Sequence, residues 1–187
     1  QQLQQRVEWS ARHGGTLLHG YGKQHLLSNH WTAFCCSVRC PGGVILNSYD
    51  LAQRWRVECT PVIGGFHSPL EKEVLRILLR SETPICMVLA RGLPKRVPME
   101  FRKAVDEGRM LIVSGYGAEV RRSTQALAVE RNLLVMQMAG KVVVAYAAPG
   151  SKTESLCRSV LELGKPCLTF DTAHTANLRA LGFGDVS

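Results

Sequence analysis

Aromatic side chains are scarce in this sequence: Phe, Tyr and Trp make up 6% of its 187 residues. Base stacking therefore has few platforms, with Phe66 the best placed of them. Long apolar runs are missing, and the opening stretch QQLQQRVEWSARHGG has no apolar core of the signal-peptide kind. Both absences argue against a membrane span or a secretory leader and predict a cytoplasmic protein. Cysteine is present but not as a framework. The seven residues are an odd number lying mostly inside apolar stretches, as buried thiols do in a reducing compartment. Cys36 and Cys40 have no second Cys or His pair at ligand spacing, and adjacent Cys35 and Cys36 would face opposite ways on a strand, so no metal site is expected. Acidic residues are also in short supply. Fifteen Asp and Glu against 23 Lys and Arg leave a formal charge of +8, which favours a polyanionic partner. Between Arg91 and Arg122 lie eight basic residues and four acidic ones, concentrating that charge.

What the chain does have is a regular alternation of apolar runs and amphipathic stretches. The runs TAFCCS, TPVIGG, PICMVLA, MLIVSG, KVVVAYAA and PCLTF read as buried strands. Between them, helices are predicted over 44–55, from Pro69 to Arg80, over 99–107, through STQALAVERNLLVMQMAG in one or two pieces, over 152–163 and over 177–181. Strands apolar on both faces and separated by helices imply a parallel sheet covered on both sides. The fold class is thus α/β, doubly wound and mostly parallel, with helices on both faces (Rossmann-like). We read residues 1–31 as an N-terminal leading segment and 32–187 as the Rossmann domain, together one compact unit.

In such folds ligands bind beyond the carboxyl ends of the strands. That directs attention to the loops SVRCPGG, GGFHSP, ARGLPKRVP and APGSKTE. GSKT is not a nucleoside-triphosphate loop, because Ser151 precedes Lys152 and Tyr146 stands five residues before Ser151, where a P-loop needs glycines. Ser151 and Glu154 form a capping box, as do Ser68 and Glu71, so both helices can start without a ligand. Features beyond capping point to an anion: Gly64 and Gly65 precede their cap, and Lys152 puts a cation where the helix dipole disfavours one. Candidate phosphate or nucleotide contacts are Ser37, Arg39, Gly64, Gly65, His67, Arg131, Asn132, Gly150, Ser151, Lys152 and Thr153. Arg91, Lys95 and Arg96 are candidate nucleic-acid contacts. The Arg131-Asn132 pair is expected to begin a helix at the strand ends, since asparagine is a poor choice inside one.

The runs LLHGYGKQHLLSNHWTAFCCSVRC, VIGGFHSPLEKEVLRILL, PICMVLARGL, GRMLIVSGYG, ERNLLVMQMAGKVVVAYAAPGSKTESL and GKPCLTF resemble, in order and spacing, the DprA/Smf family of DNA-processing, recombination-mediator proteins. The resemblance spans about residues 16–182. Departures are visible: CSVR stands for a GSR-like turn, GGFHSPLE for SGLARGID, and Leu133 for the second arginine of RNR. The superfamily also holds LOG-type phosphoribohydrolases, whose RK pair and PGGxGTxxE motif Arg131-Asn132 and PGSKTES echo. On that alignment the catalytic glutamate falls on Leu156, which cannot act as acid or base, so no catalytic residue is assigned.

The resemblance implies a nucleic-acid-binding protein, with single-stranded DNA held at the loops, in DNA processing or recombination. It implies a homodimer and a recombinase partner; no cofactor is expected, and the lack of a long apolar run predicts no membrane partner. The alternative is a nucleotide sensor or a LOG-type nucleoside-monophosphate phosphoribohydrolase using the same pocket.

Overall fold

The computed structural model describes residues 8–186; residues 1–7 of the leading segment, and Ser187, lie outside them. The chain opens with a hairpin, β1 (Glu8–His13) and β2 (Thr16–Tyr21). Its two-residue turn is Gly14-Gly15, both at positive φ (53° and 84°), the conformation whose twist matches paired strands. The composition of residues 8–21 hides these strands from a search for buried runs, since β1 alternates exposed and covered residues at a sheet edge.

The alternation predicted from the sequence follows, and a short last strand that was not predicted joins the sheet after the last helix. The elements run β3 (Thr32–Cys36), α1 (Gly42–Glu58), β4 (Val62–Gly64), α2 (Pro69–Leu79), β5 (Ile85–Leu89), α3 (Met99–Asp106), β6 (Met110–Ser114), α4 (Gln125–Met138), β7 (Lys141–Tyr146), α5 (Lys152–Leu161), β8 (Cys167–Thr169), α6 (Ala176–Leu181) and β9 (Gly184–Asp185). The nine strands lie in the order β1-β2-β6-β5-β4-β3-β7-β8-β9. From β6 to β9 across the sheet every pairing is parallel; the hairpin adds the two antiparallel ones. The chain steps outward from β3 to β6, then α4 carries it back to β7 on the other side of β3. The order therefore reverses between β3 and β7, which is where an open α/β sheet leaves a crevice.

The sheet separates two cores. One holds Phe34, Cys36 and Val143 against α1, α2 and α3; the other holds Ala33, Cys35 and Val142 against α4, α5 and α6. Cys35 and Cys36 fall on opposite faces, as a two-residue period requires. Phe34 meets Trp55 of α1 edge to face, with ring centroids 5.9 Å apart.

α4 is one unbroken helix, which corrects the expectation that the Arg131-Asn132 pair begins a helix. Thr124 caps it by accepting a hydrogen bond from the Leu127 amide (3.2 Å), and Lys165 Nζ closes its far end on the carbonyls of Met136, Gln137 and Ala139 (2.8, 2.6 and 2.6 Å). Arg131 and Asn132 therefore lie in its middle rather than at its start. Asparagine is tolerated there because its side-chain oxygen accepts from Arg131 Nε (2.8 Å) instead of competing for the helix backbone.

Candidate nucleic-acid interface

The loops at the carboxyl edge fall into two kinds, those whose polar groups turn inward and those whose cations stand free. The β4–α2 turn is of the first kind. Ser68 Oγ accepts from the Glu71 amide (3.3 Å), the expected cap, but the Glu71 carboxylate reaches further than a capping box requires. It accepts from the Cys36 amide (3.1 Å), the His67 amide (3.2 Å) and Ser68 Oγ (2.9 Å), and the residue is 7% exposed. Glu71 thus ties the end of β3 to the turn after β4. Gly65 is explained from within as well. A Cβ built there would lie 2.6 Å from Arg131 Nε and 2.7 Å from its Nη1, so the guanidinium lies in the space a side chain would fill. Phe66 sits at φ 48° and is 4% exposed, which corrects its assignment as a stacking platform: its ring joins the core with Phe34. His67 is exposed, and Gly64 packs under Phe34 O and the Phe66 ring.

Arg131 is 5% exposed. Besides Asn132 it donates from Nη1 to Val88 O (3.2 Å) at the end of β5. Burial lowers its pKa, opposed by the nearby Glu71 carboxylate. The structure brings Arg131, Asn132, Gly65 and Glu71 together as a largely buried clamp across β3, β4, β5 and α4. The buried Cys35 thiol at the same place has its pKa raised well above the ordinary value, first by burial and then by Glu71.

The two loops at the crevice are joined. Ser37 N donates to Tyr146 O (2.9 Å) and Ser37 Oγ accepts from Ala148 N (3.1 Å). Gly150 turns the chain at φ 74°, and Ser151 caps α5 through the Glu154 amide (3.2 Å). The Glu154 carboxylate folds back onto Asn177 Nδ2 (2.5 Å), the Gly150 amide (3.4 Å) and Arg158 (3.4 Å). These contacts, the Asn177 hydrogen bond foremost, lower its pKa. Lys152 and Arg39 are left exposed beside it, with Thr153 half-buried.

The loops after β5 and β6 brace one another. Ser114 Oγ donates to Arg91 O (2.6 Å), Gly92 N to Val120 O (2.8 Å), and Tyr21 Oη of the hairpin to Pro94 O (2.9 Å). Pinned in this way, residues 90–98 expose Arg91, Lys95 and Arg96, and residues 115–124 expose Arg121 and Arg122, with Glu119 as their acid neighbour. Among the described residues none of these five cations, nor Arg39 or Lys152, enters an ion pair.

Two concavities open along this edge. One of about 550 Å³ lies between α1 and α2 and is walled by Arg39, Tyr49 and Lys72 among others; a smaller one of about 260 Å³ lies between Tyr116 and α4. A third, of about 640 Å³, lies at the opposite edge among Arg80, Lys103 and Arg109, where cations complement helix C-termini. Among the described residues no three His, Cys, Asp or Glu side chains converge as a metal site would need, and no helix is long and apolar enough to cross a membrane.

No protein-family model matches the sequence, and no curated protein does. Solved structures do match. DNA processing protein A (DprA) from Streptococcus pneumoniae aligns with a TM-score of 0.77 at 18% identity, over 98% of this chain and 71% of that one. DNA processing protein A from Helicobacter pylori, described for its single-stranded DNA binding mode, aligns at 0.72 and 17%, over 97% and 84%. The molybdenum cofactor binding protein of Rippkaea orientalis aligns at 0.56 and 18%, over 84% and 88%. At these identities the likeness establishes the fold: the chain has the mostly parallel α/β architecture of the DNA processing proteins over nearly all of its length.

Proposed function

We propose that this protein binds single-stranded DNA across the carboxyl edge of its sheet, as a DprA-like DNA-processing protein. The observation that carries the reading is a row of cations. Adjacent parallel strands β6, β5, β3 and β7 each end in a loop bearing an exposed Arg or Lys, and β4 between them bears exposed His67. Five strands at ~4.8 Å spacing make a track of roughly 19 Å running across the strand direction. The carboxylates at the crevice, Glu71 and Glu154, are turned onto main-chain amides and neighbouring side chains, so they leave the track positive. Arg39, Arg91, Lys95, Arg96 and Lys152 neutralise phosphates, with His67, Gly150 and Thr153 beside them. Arg131, Asn132, Ser37, Ser151 and the glycines at 64 and 65 hold the loops in place. The likeness to the Helicobacter pylori protein supports the same choice of ligand.

The resemblance in sequence further supports a homodimer that hands the strand to a recombinase. Seven unpaired thiols suit the cytoplasm. Residues 8–31 serve the domain of 32–187 by bracing its basic loop through Tyr21. Nucleotide hydrolysis has less support, because Leu156 stands at the acid position and Glu154 is already committed to Asn177.

Fluorescence anisotropy of a labelled oligonucleotide tests the reading. Binding should weaken steeply as salt rises, since neutralised phosphates release counterions, and AMP should not displace the strand. Salt-insensitive binding, or no binding beside saturable AMP uptake, would overturn it.

A further inference from the structure

The smaller concavity on the α4 side differs in character from the cation track beside it. Its walls are apolar, formed by Leu133 and Leu134 of α4 with Tyr116. Gly115 opens it: a Cβ there would meet only a Leu134 methyl and a Thr16 methyl, each at 3.6 Å. Its polar groups are the exposed Glu130 carboxylate, the Gln137 amide and the buried Arg131 guanidinium, which is itself more than nine-tenths covered. Tyr116 Oη donates to Glu130 Oε2 (2.7 Å), which fixes the carboxylate at the mouth and leaves Oε1 and the second lone pair of Oε2 able to accept. Burial and this hydrogen bond raise the Tyr116 pKa to about 12, so the phenol stays a donor at neutral pH.

A phosphate is a poor occupant for a cleft with a carboxylate at its mouth. The volume of about 260 Å³ lies below the roughly 300–1,000 Å³ of sites for drug-sized ligands and suits one ring system. Its position supplies the rest, because Tyr116 begins the loop that carries Arg121 and Arg122. A strand whose phosphates meet those arginines has a base within reach of the cleft.

We propose that this cleft takes one unstacked base of the bound strand and that Glu130 selects guanine. The inference rests on the DNA-binding reading above. Guanine alone among the four bases offers two adjacent N–H donors, at N1 and N2, to the two oxygens of a carboxylate. Adenine and cytosine offer one amino group beside a ring acceptor, and thymine offers one N–H between two carbonyls; each sets an acceptor against Glu130. Bidentate pairing of this kind gives roughly five- to hundredfold discrimination.

The test compares oligo(dT) carrying one central dG, dI, dA or dC with plain oligo(dT), for the unmodified protein and Glu130→Gln. The quantity read is the ratio of each affinity to that for oligo(dT), so a general change in binding cancels. The expected result is a dG ratio of about ten, a dI ratio between that and one because inosine lacks the N2 donor, and collapse of the dG ratio in Glu130→Gln. A dG ratio near one, or one that survives Glu130→Gln or is matched by dI, would overturn the base site while leaving salt-sensitive oligo(dT) binding intact. Failure to bind oligo(dT) at all would remove the DNA-binding reading and this inference with it.

Discussion

The β4–α2 turn and the β5–α3 loop each follow a buried strand and hold a close-approach glycine, the first with only His67 beside it and the second with Arg91, Lys95 and Arg96, and they are built for opposite purposes. In the first, Glu71 gathers the Cys36 and His67 amides and Ser68 Oγ, while Gly65 makes room for the Arg131 guanidinium. In the second, Gly92 makes room for a neighbouring loop: a Cβ there would run into Gly117 O. The backbone is held by Ser114, Tyr21 and Val120, and Arg91, Lys95 and Arg96 point to solvent. A close-approach glycine therefore does not by itself mark a ligand. What marks the surface is a braced backbone whose charged side chains have no partner.

Substitutions in the inward turn should change stability, whereas those in the outward loop should change binding. The largest effect is expected from Glu71→Ala, which leaves three buried or half-buried donors without an acceptor and should cost about 3 kcal/mol in urea unfolding. A loss below about 1 kcal/mol would mean that water replaces the carboxylate and the clamp is not one. Gly65→Val should cost about 2 kcal/mol by forcing the Arg131 guanidinium aside. Its cost should fall in an Arg131→Ala background, and simple additivity of the two would break the inferred contact. A smaller effect concerns acid. Glu154 has its pKa lowered in the folded state, so its contribution is fully present above the unfolded value of about 4.3 and is lost as pH falls through the folded value. Glu154→Gln should lower stability at neutral pH by that contribution and flatten the acid limb, so that its curve meets the unmodified protein's at low pH. An unchanged acid limb would show that Asn177 and Gly150 do not hold the carboxylate.

The fold was legible because the parallel strands β3 to β7 are apolar on both faces and capping boxes at Ser68 and Ser151 mark where α2 and α5 begin. The hairpin was not, because its edge strand alternates and its one clear signal, Gly14-Gly15, has no apolar run before it. The candidate site was legible as a set of loops but not as directions. Arg131 and Lys152 are equally basic in sequence, and only packing shows that the first fills the space above Gly65 while the second stands in solvent. Phe66 was misjudged for the same reason, since a positive-φ turn folds its ring into the core. Tyr116 and Glu130, 14 residues apart, carry no motif and meet only because α4 crosses the end of β6.

The central claim is that the exposed cations of the carboxyl edge, and not the buried one, meet phosphate. The most direct test is the slope of log affinity for oligo(dT) against log salt, measured for the unmodified protein and for the combined Arg91→Ala, Lys95→Ala and Arg96→Ala variant. Each lost phosphate contact on a single strand should reduce the slope by about 0.7, so the triple change should reduce it by about 2. Its unfolding free energy should stay within about 0.5 kcal/mol, as surface positions usually do. An unchanged slope in a stably folded triple variant would contradict the account.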